Sequence, residues 1–133
     1  MSGKYLTRDE ILEVNDLLIE EVDVPEWGGM VLVRGLTGTD RDRLEASAVT
    51  QNGNNLALNL NNIRAKLVSM SVVNEDGKRL FTDSDIKDLG RKNAAALERV
   101  YDVAQRLSGM GKADVSELAK NLFGTPDDVS ISA

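Results

Sequence analysis

Asn74-Glu75-Asp76-Gly77 is the stretch whose residue types come nearest to a chemical site. Acidic and amide side chains ahead of a glycine are what a calcium loop uses. With Gly77 as the loop glycine, the first ligand would be Val72 and the central apolar residue Arg79. Both are the wrong type, so the spacing fails. Asp76-Gly77 reads instead as a turn dipeptide. Gly35-Leu36-Thr37-Gly38 lacks the Gly-Lys-Ser/Thr that a phosphate loop requires. Serine and threonine are plentiful, but the chain has no His and no Cys to activate a hydroxyl or supply a thiolate. An Asp/Glu/Lys mechanism stays open, yet the paired carboxylates fall where helix faces and caps explain them. Lys78, Arg79, Lys87, Arg91 and Lys92 form a basic run interleaved with Asp83, Asp85 and Asp88. That pattern is a salt-bridged surface rather than a nucleic-acid site.

What remains is chemistry of binding. Trp27, the only tryptophan, lies between Pro25-Glu26 and Gly28-Gly29. It has two readings: a large apolar lid folded back on an aliphatic core, or an aromatic anchor projecting from a hairpin tip toward a partner. Trp27 and Met30 are the candidate partner-binding residues.

The element that positions them is Val22–Leu36. Val22 and Val24 alternate with Asp23, and Met30–Val33 is apolar and largely β-branched. The Pro and two Gly between them suit a hairpin loop. Upstream, Leu6-Thr7-Arg8-Asp9-Glu10-Ile11 carries a capping box, Thr7 with Glu10, inside a Leu6/Ile11 staple. Ile11, Val14, Leu17 and Leu18 follow at helical spacing, predicting a first helix to about Glu20. A second helix is expected from Thr39, capped against Asp42, with Leu44, Ala48 and Val49 inward. Six Asn fall between positions 52 and 62, so residues 51–55 read as a loop. Leu56, Leu60, Ile63, Leu67 and Met70 then mark a third helix. Val72–Val73 and Leu80–Phe81 flank Asp76-Gly77 as a second hairpin. Thr82 and Asp85 repeat the capping box, opening a short fourth helix stopped by Gly90. A fifth helix starts at Asn93, with Ala96, Leu97, Val100, Tyr101, Ala104 and Leu107 inward. A last helix follows Asp114, and residues 124–133 read as a flexible tail. The predicted fold is α+β and mostly helical: a single domain over residues 1–133, with five or six helices and two short antiparallel hairpins.

A chain of 133 residues suffices for one real core. With 41% hydrophobic but only 4% aromatic residues, that core must be aliphatic. No apolar run approaches the roughly 18 residues of a membrane span, and residues 1–7 do not resemble a signal peptide. The composition reads as soluble and cytosolic. Net charge is −6, and residues 1–36 alone carry eight acids against three bases. An acidic surface argues against nucleic acid, whose affinity comes from Lys and Arg. It is either a solvated helix face or a patch that steers a basic partner.

Taken in order, Tyr5-Leu6-Thr7-Arg8-Asp9-Glu10-Ile11, Val24-Pro25-Glu26-Trp27-Gly28-Gly29, Val33-Arg34-Gly35-Leu36-Thr37-Gly38 and Asp76-Gly77-Lys78-Arg79-Leu80-Phe81-Thr82 with Asp85-Ile86 resemble the tail assembly chaperones of long-tailed bacteriophages. The resemblance spans roughly residues 5–122. It implies a helper acting in the host cytoplasm and absent from the mature virion. Such a helper binds the tape measure protein and keeps it soluble while tail tube protein polymerises around it. The resemblance also implies self-association into rings or short multimers. It implies no catalytic residues; the residue types themselves point to no metal and no cofactor, and the charge and apolar run lengths to no nucleic-acid or membrane partner. Two other classes stay open: a tail adaptor or structural protein retained in the virion, and an enzyme working through carboxylates or lysine.

Overall fold

The structure is a computed structural model describing residues 4–52, 55–58 and 62–110. The Val22–Leu36 stretch forms the expected hairpin. Strand β1 (Ile19–Val24) pairs antiparallel with β2 (Gly29–Arg34), in a register that sets Val22 opposite Val31 and Val24 opposite Gly29. Pro25–Trp27 makes one 3-10 turn, closed by the Gly28 N–H donating to the Pro25 carbonyl at 3.0 Å. Gly28 sits at φ +82°, a left-handed conformation that glycine adopts without strain.

Two helical expectations shift. Helix α1 (Arg8–Glu13) has its capping box, with the Glu10 N–H donating to Thr7 Oγ1 and the Thr7 N–H to the Glu10 carboxylate. It nevertheless ends at Glu13, not Glu20. Val14 is extended, and the Leu17 N–H turns to Asn15 Oδ1. Asn15-Asp16 offers the backbone local partners that compete with helix. Helix α2 (Gly38–Ser47) is capped by Thr37, which accepts from the Asp40 N–H at 3.0 Å, two residues earlier than the spacing predicted.

The predicted layout of two hairpins in an otherwise helical chain is incorrect, although the α+β class holds. The main sheet has three strands, β1, β2 and β5 (Val72–Val73) in that order, so β2 is central. Strand β5 pairs with β2, Leu32 opposite Val73 and Val33 opposite Val72. The Asn74–Lys78 turn forms as expected, with the Asn74 N–H donating to the Lys78 carbonyl and Gly77 at φ +81°. The returning chain makes only a single bridge, Val73 to Arg79. Arg79 turns its guanidinium to the Ser69 carbonyl and to Asp83, and Leu80 is exposed. The chain then leaves the sheet for the capping box at Thr82, whose N–H donates to the Asp85 carboxylate at 2.8 Å.

The third helix is also shorter than its stripe. Strand β3 (Val49–Asn52) pairs with β4 (Asn55–Leu58) as a separate two-stranded sheet where the end of the second helix, with Val49 inward, a loop and the first turn of the third helix were expected. Helix α3 (Ile63–Ser71) starts after Asn62, itself at φ 56°. Of the five stripe residues, Ile63, Leu67 and Met70 are in the helix and buried, whereas Leu56 is in β4. Leu60 lies outside the described residues, as do the predicted last helix and tail.

Helix α4 (Ile86–Leu89) stops at Gly90, and α5 (Ala94–Leu107) is capped by Asn93. Of the expected inward residues, Ala96, Leu97, Val100, Tyr101 and Ala104 are buried and Leu107 is partly buried. Helix α5 lies across one face of the sheet and packs on α3. Val22, Val24, Val33 and Val72 meet it there, with Leu67 and Val68 from α3 completing an aliphatic core. Contact is closest at Gly35, where a Cβ would collide with the Leu107 carbonyl. The adjacent Leu36 N–H donates to Ser108 Oγ at 2.9 Å.

Candidate interaction surface

Antiparallel alternation gives the sheet two unlike faces. The inner face carries the core valines and ends in two acids that clasp α5. Glu26 receives both guanidinium nitrogens of Arg99, at 2.7 and 2.9 Å, and Glu20 meets Arg106 at 2.7 Å. Hydrogen bonding from Arg99 holds the Glu26 carboxyl down to about 2. The outer face presents Ile19, Glu21 and Asp23 from β1, and Met30, Leu32 and Arg34 from β2.

The two candidate partner-binding residues fall on different sides of this sheet. Trp27 is half-buried and packs against the core, with its indole N–H buried and unpartnered among the described residues. Beside it is an open depression of about 370 Å³, lined by Glu26, Trp27, Phe81, Leu89 and Lys92. Met30 projects from the outer face and is 64% exposed. Position along the hairpin therefore does not bring them together.

The larger apolar surface is one that periodicity misread. Ile11, Val14, Leu17 and Leu18 would be core residues of a long first helix, yet Ile11, Val14 and Leu18 are exposed, Leu17 is only half-buried, Leu12 beside them is exposed, and α1 buries no residue. With Tyr5, Leu6, Ile19 and Met30, the four exposed ones account for eight of the nine large hydrophobic side chains exposed among the described residues. Leu80 is the other. Scattered surface leucines are ordinary, but a contiguous apolar stretch on a soluble domain marks an interaction site. Residues 4–18 thus form an apolar arm that enters the sheet through β1, the Gly35 N–H reaching back to the Leu18 carbonyl at 3.0 Å. Asn15-Asp16, a helix-breaking pair within the apparent stripe, is the signal that would have separated arm from core.

The arm is also acidic. Residues 4–24 hold seven acids and two bases. Lys4 pairs with Glu10, Arg8 with Asp9, and Glu20 with Arg106. The Lys4 hydrogen bond, then that from the Thr7 backbone, lowers the Glu10 carboxyl below its usual range. Glu13, Asp16 and Glu21 are exposed with no ion pair among the described residues.

A second cavity, about 160 Å³, lies between α2, α3 and the Asp83 turn, bordered by Arg43, Lys66, Arg79 and Asp83. Its one hydroxyl, Ser47 Oγ, donates to the Leu44 carbonyl at 2.7 Å. No group of three or more His, Cys, Asp or Glu among the described residues could hold a metal ion. No described helix is long and apolar enough to cross a membrane.

No curated protein and no solved structure matches the chain. A protein family does: the sequence profile described as phage tail assembly chaperone matches residues 17–121, from the start of the hairpin through the sheet and helix core, while α1 precedes the matched stretch. Matched over more than three quarters of its 133 residues, this chain belongs to the phage tail assembly chaperone family and serves tail assembly in the host cell through contacts with tail proteins.

Proposed function

We propose that this chaperone binds the tape measure protein and keeps it soluble while tail tube protein polymerises around it, and that it leaves before the virion is complete. The observation that carries this reading is the concentration of exposed apolar side chains on the arm and the outer sheet face, away from the core. A helper for a long, aggregation-prone partner must offer apolar surface without collapsing on it, and a short arm outside the core provides that. Self-association belongs to the same reading. Strand β1 has no neighbour on its outer side among the described residues. An open edge is a template for pairing with another copy, and several linked copies raise the effective concentration of a weak site.

The test is co-expression of the tape measure protein with the full chain, or with Ile11→Ser/Leu12→Ser. The intact chain should hold the tape measure protein in the soluble fraction, and the double variant should lose it to the pellet. A pellet in both cases overturns the reading. Finding the chain in purified particles would favour the tail adaptor instead. Light scattering over a concentration series reports self-association, and monomer alone at high micromolar concentration would refute that part.

A further inference from the structure

The arm specifies the charge of what covers it. We propose that residues 4–24 dock an amphipathic helix whose apolar stripe is bordered by Lys and Arg. This rests on the reading above and names the chemistry of the bound segment of the tape measure protein.

Three observations converge. The apolar component is Leu6, Ile11, Leu12, Val14, Leu18 and Ile19, each more than half exposed. The charged component is Glu13, Asp16 and Glu21, exposed, interleaved with those residues and unpaired among the described residues. The third is the helix itself. α1 has six residues and no buried side chain, whereas isolated helices shorter than about 12–15 residues are marginal in water. Its capping box sets where it starts but supplies no apolar packing. A partner helix laid on Ile11 and Leu12 supplies it, its own apolar residues recurring at helical spacing as in other helix-docking surfaces. Its flanking cations would meet Glu13, Asp16 and Glu21 at the rim.

A second copy of the chain fits less well as occupant. The arm is net acidic, with four acids against two bases over residues 4–18, so a second copy laid face to face on its apolar side sets like charges together, whereas pairing at the β1 edge is made by backbone groups. A nucleic acid is disfavoured for the same reason.

The experiment uses the full chain and three labelled model helices read by fluorescence anisotropy: Leu/Lys, Leu/Glu with the same apolar stripe, and Ser/Lys with the stripe removed. Leu/Lys should bind at least about tenfold tighter than either control, and its affinity should fall as salt is raised. Ile11→Ser/Leu12→Ser should abolish that binding with the melting temperature unchanged. Glu13→Lys/Asp16→Lys should weaken Leu/Lys by about tenfold, as expected when two rim pairs become repulsive. Equal binding of Leu/Lys and Leu/Glu overturns the proposal, as does equal binding of Ser/Lys or indifference to the charge reversal. So does a light-scattering dimer dissolved by the Ile11→Ser/Leu12→Ser change, because the occupant would then be a second copy. If these helices fail to discriminate while co-expression still solubilises the tape measure protein, the charge inference falls and the chaperone reading stands. The reverse pattern removes the chaperone reading alone.

Discussion

The sharpest consequence of the fold is that two leucines of equal chemistry have very different energetic weight. Leu67 in α3 is fully buried, and Leu12 in α1 is 65% exposed. Truncating a buried leucine to alanine removes its transfer free energy and leaves a cavity, about 2.7–5 kcal/mol in a close-packed site. Burying a leucine completely contributes about 1.5–3 kcal/mol, so the covered third of Leu12 represents at most about 1 kcal/mol. Part of that is recovered because alanine is the better helix former. The expected loss for Leu12→Ala is therefore under about 0.5 kcal/mol. For a chain of this length 1 kcal/mol shifts the midpoint by about 3–5 °C. Leu67→Ala should thus lower it by about 10 °C or more, and Leu12→Ala by about 2 °C at most. Urea and thermal melts followed by the fluorescence of Trp27, the only tryptophan, read both variants in one assay. A loss above about 2 kcal/mol for Leu12→Ala would show that the arm is packed in solution and refute the arm as free surface. Repeating the melt over a dilution series separates packing within one chain from packing between copies, because only the latter makes the midpoint concentration-dependent.

Three further expectations concern the body of the fold. Trp27→Ala should lose about 2 kcal/mol, less than the roughly 3–5 of a fully buried Trp, because Trp27 is only half-covered. Trp27→Phe should keep most of the stability, since the indole N–H it removes has no partner among the described residues, and chemical denaturation followed by circular dichroism measures both. Ser71→Ala should be neutral or stabilising by about 1 kcal/mol, because Ser71 Oγ is buried without a hydrogen-bond partner among the described residues; a clear loss in the same melt would mean that the hydroxyl is satisfied in solution. Glu26, drawn from 4.5 to about 2 by Arg99, stabilises the fold above the unfolded value. That contribution is lost as pH falls from about 4.5 through about 2. Urea midpoints across this window should fall more gently for Glu26→Gln than for the parent chain.

The hairpin was legible because every local signal agreed: alternation on both sides, Pro to set φ and Gly28 to take the positive φ. Capping boxes at Thr7 and Thr82 and the wide apolar face of α5 were legible for the same reason. The failures share another cause. Periodicity records where apolar side chains recur but not whether a core lies beside them, so Ile11 and Leu18 looked like Leu97 and Val100. Strand β5 has two residues, too few for any pattern, and its place beside β2 is set by packing remote in sequence. Strands β3 and β4 were missed although Gly53-Asn54 is a hairpin dipeptide, because six Asn made the region read as loop. Trp27 and Met30 are three positions apart, yet Trp27 packs on the core from the 3-10 turn while Met30 lies on the outer face of β2.

Strand β5 also dictates an order of assembly. It follows α3 without an intervening residue, and its partners in β2 lie about 40 positions earlier in the chain. Two residues cannot find that register alone, so the central strand gains its second neighbour only when α3 is seated. Helix α3 is seated against α5, the last described element. On a ribosome the β1–β2 hairpin therefore emerges early but stays marginal, as an isolated two-stranded unit does in water. Closure of the sheet and core waits until α5 has left the exit tunnel. The arm, whose helix α1 buries no residue, emerges ahead of β1 and does not depend on that closure.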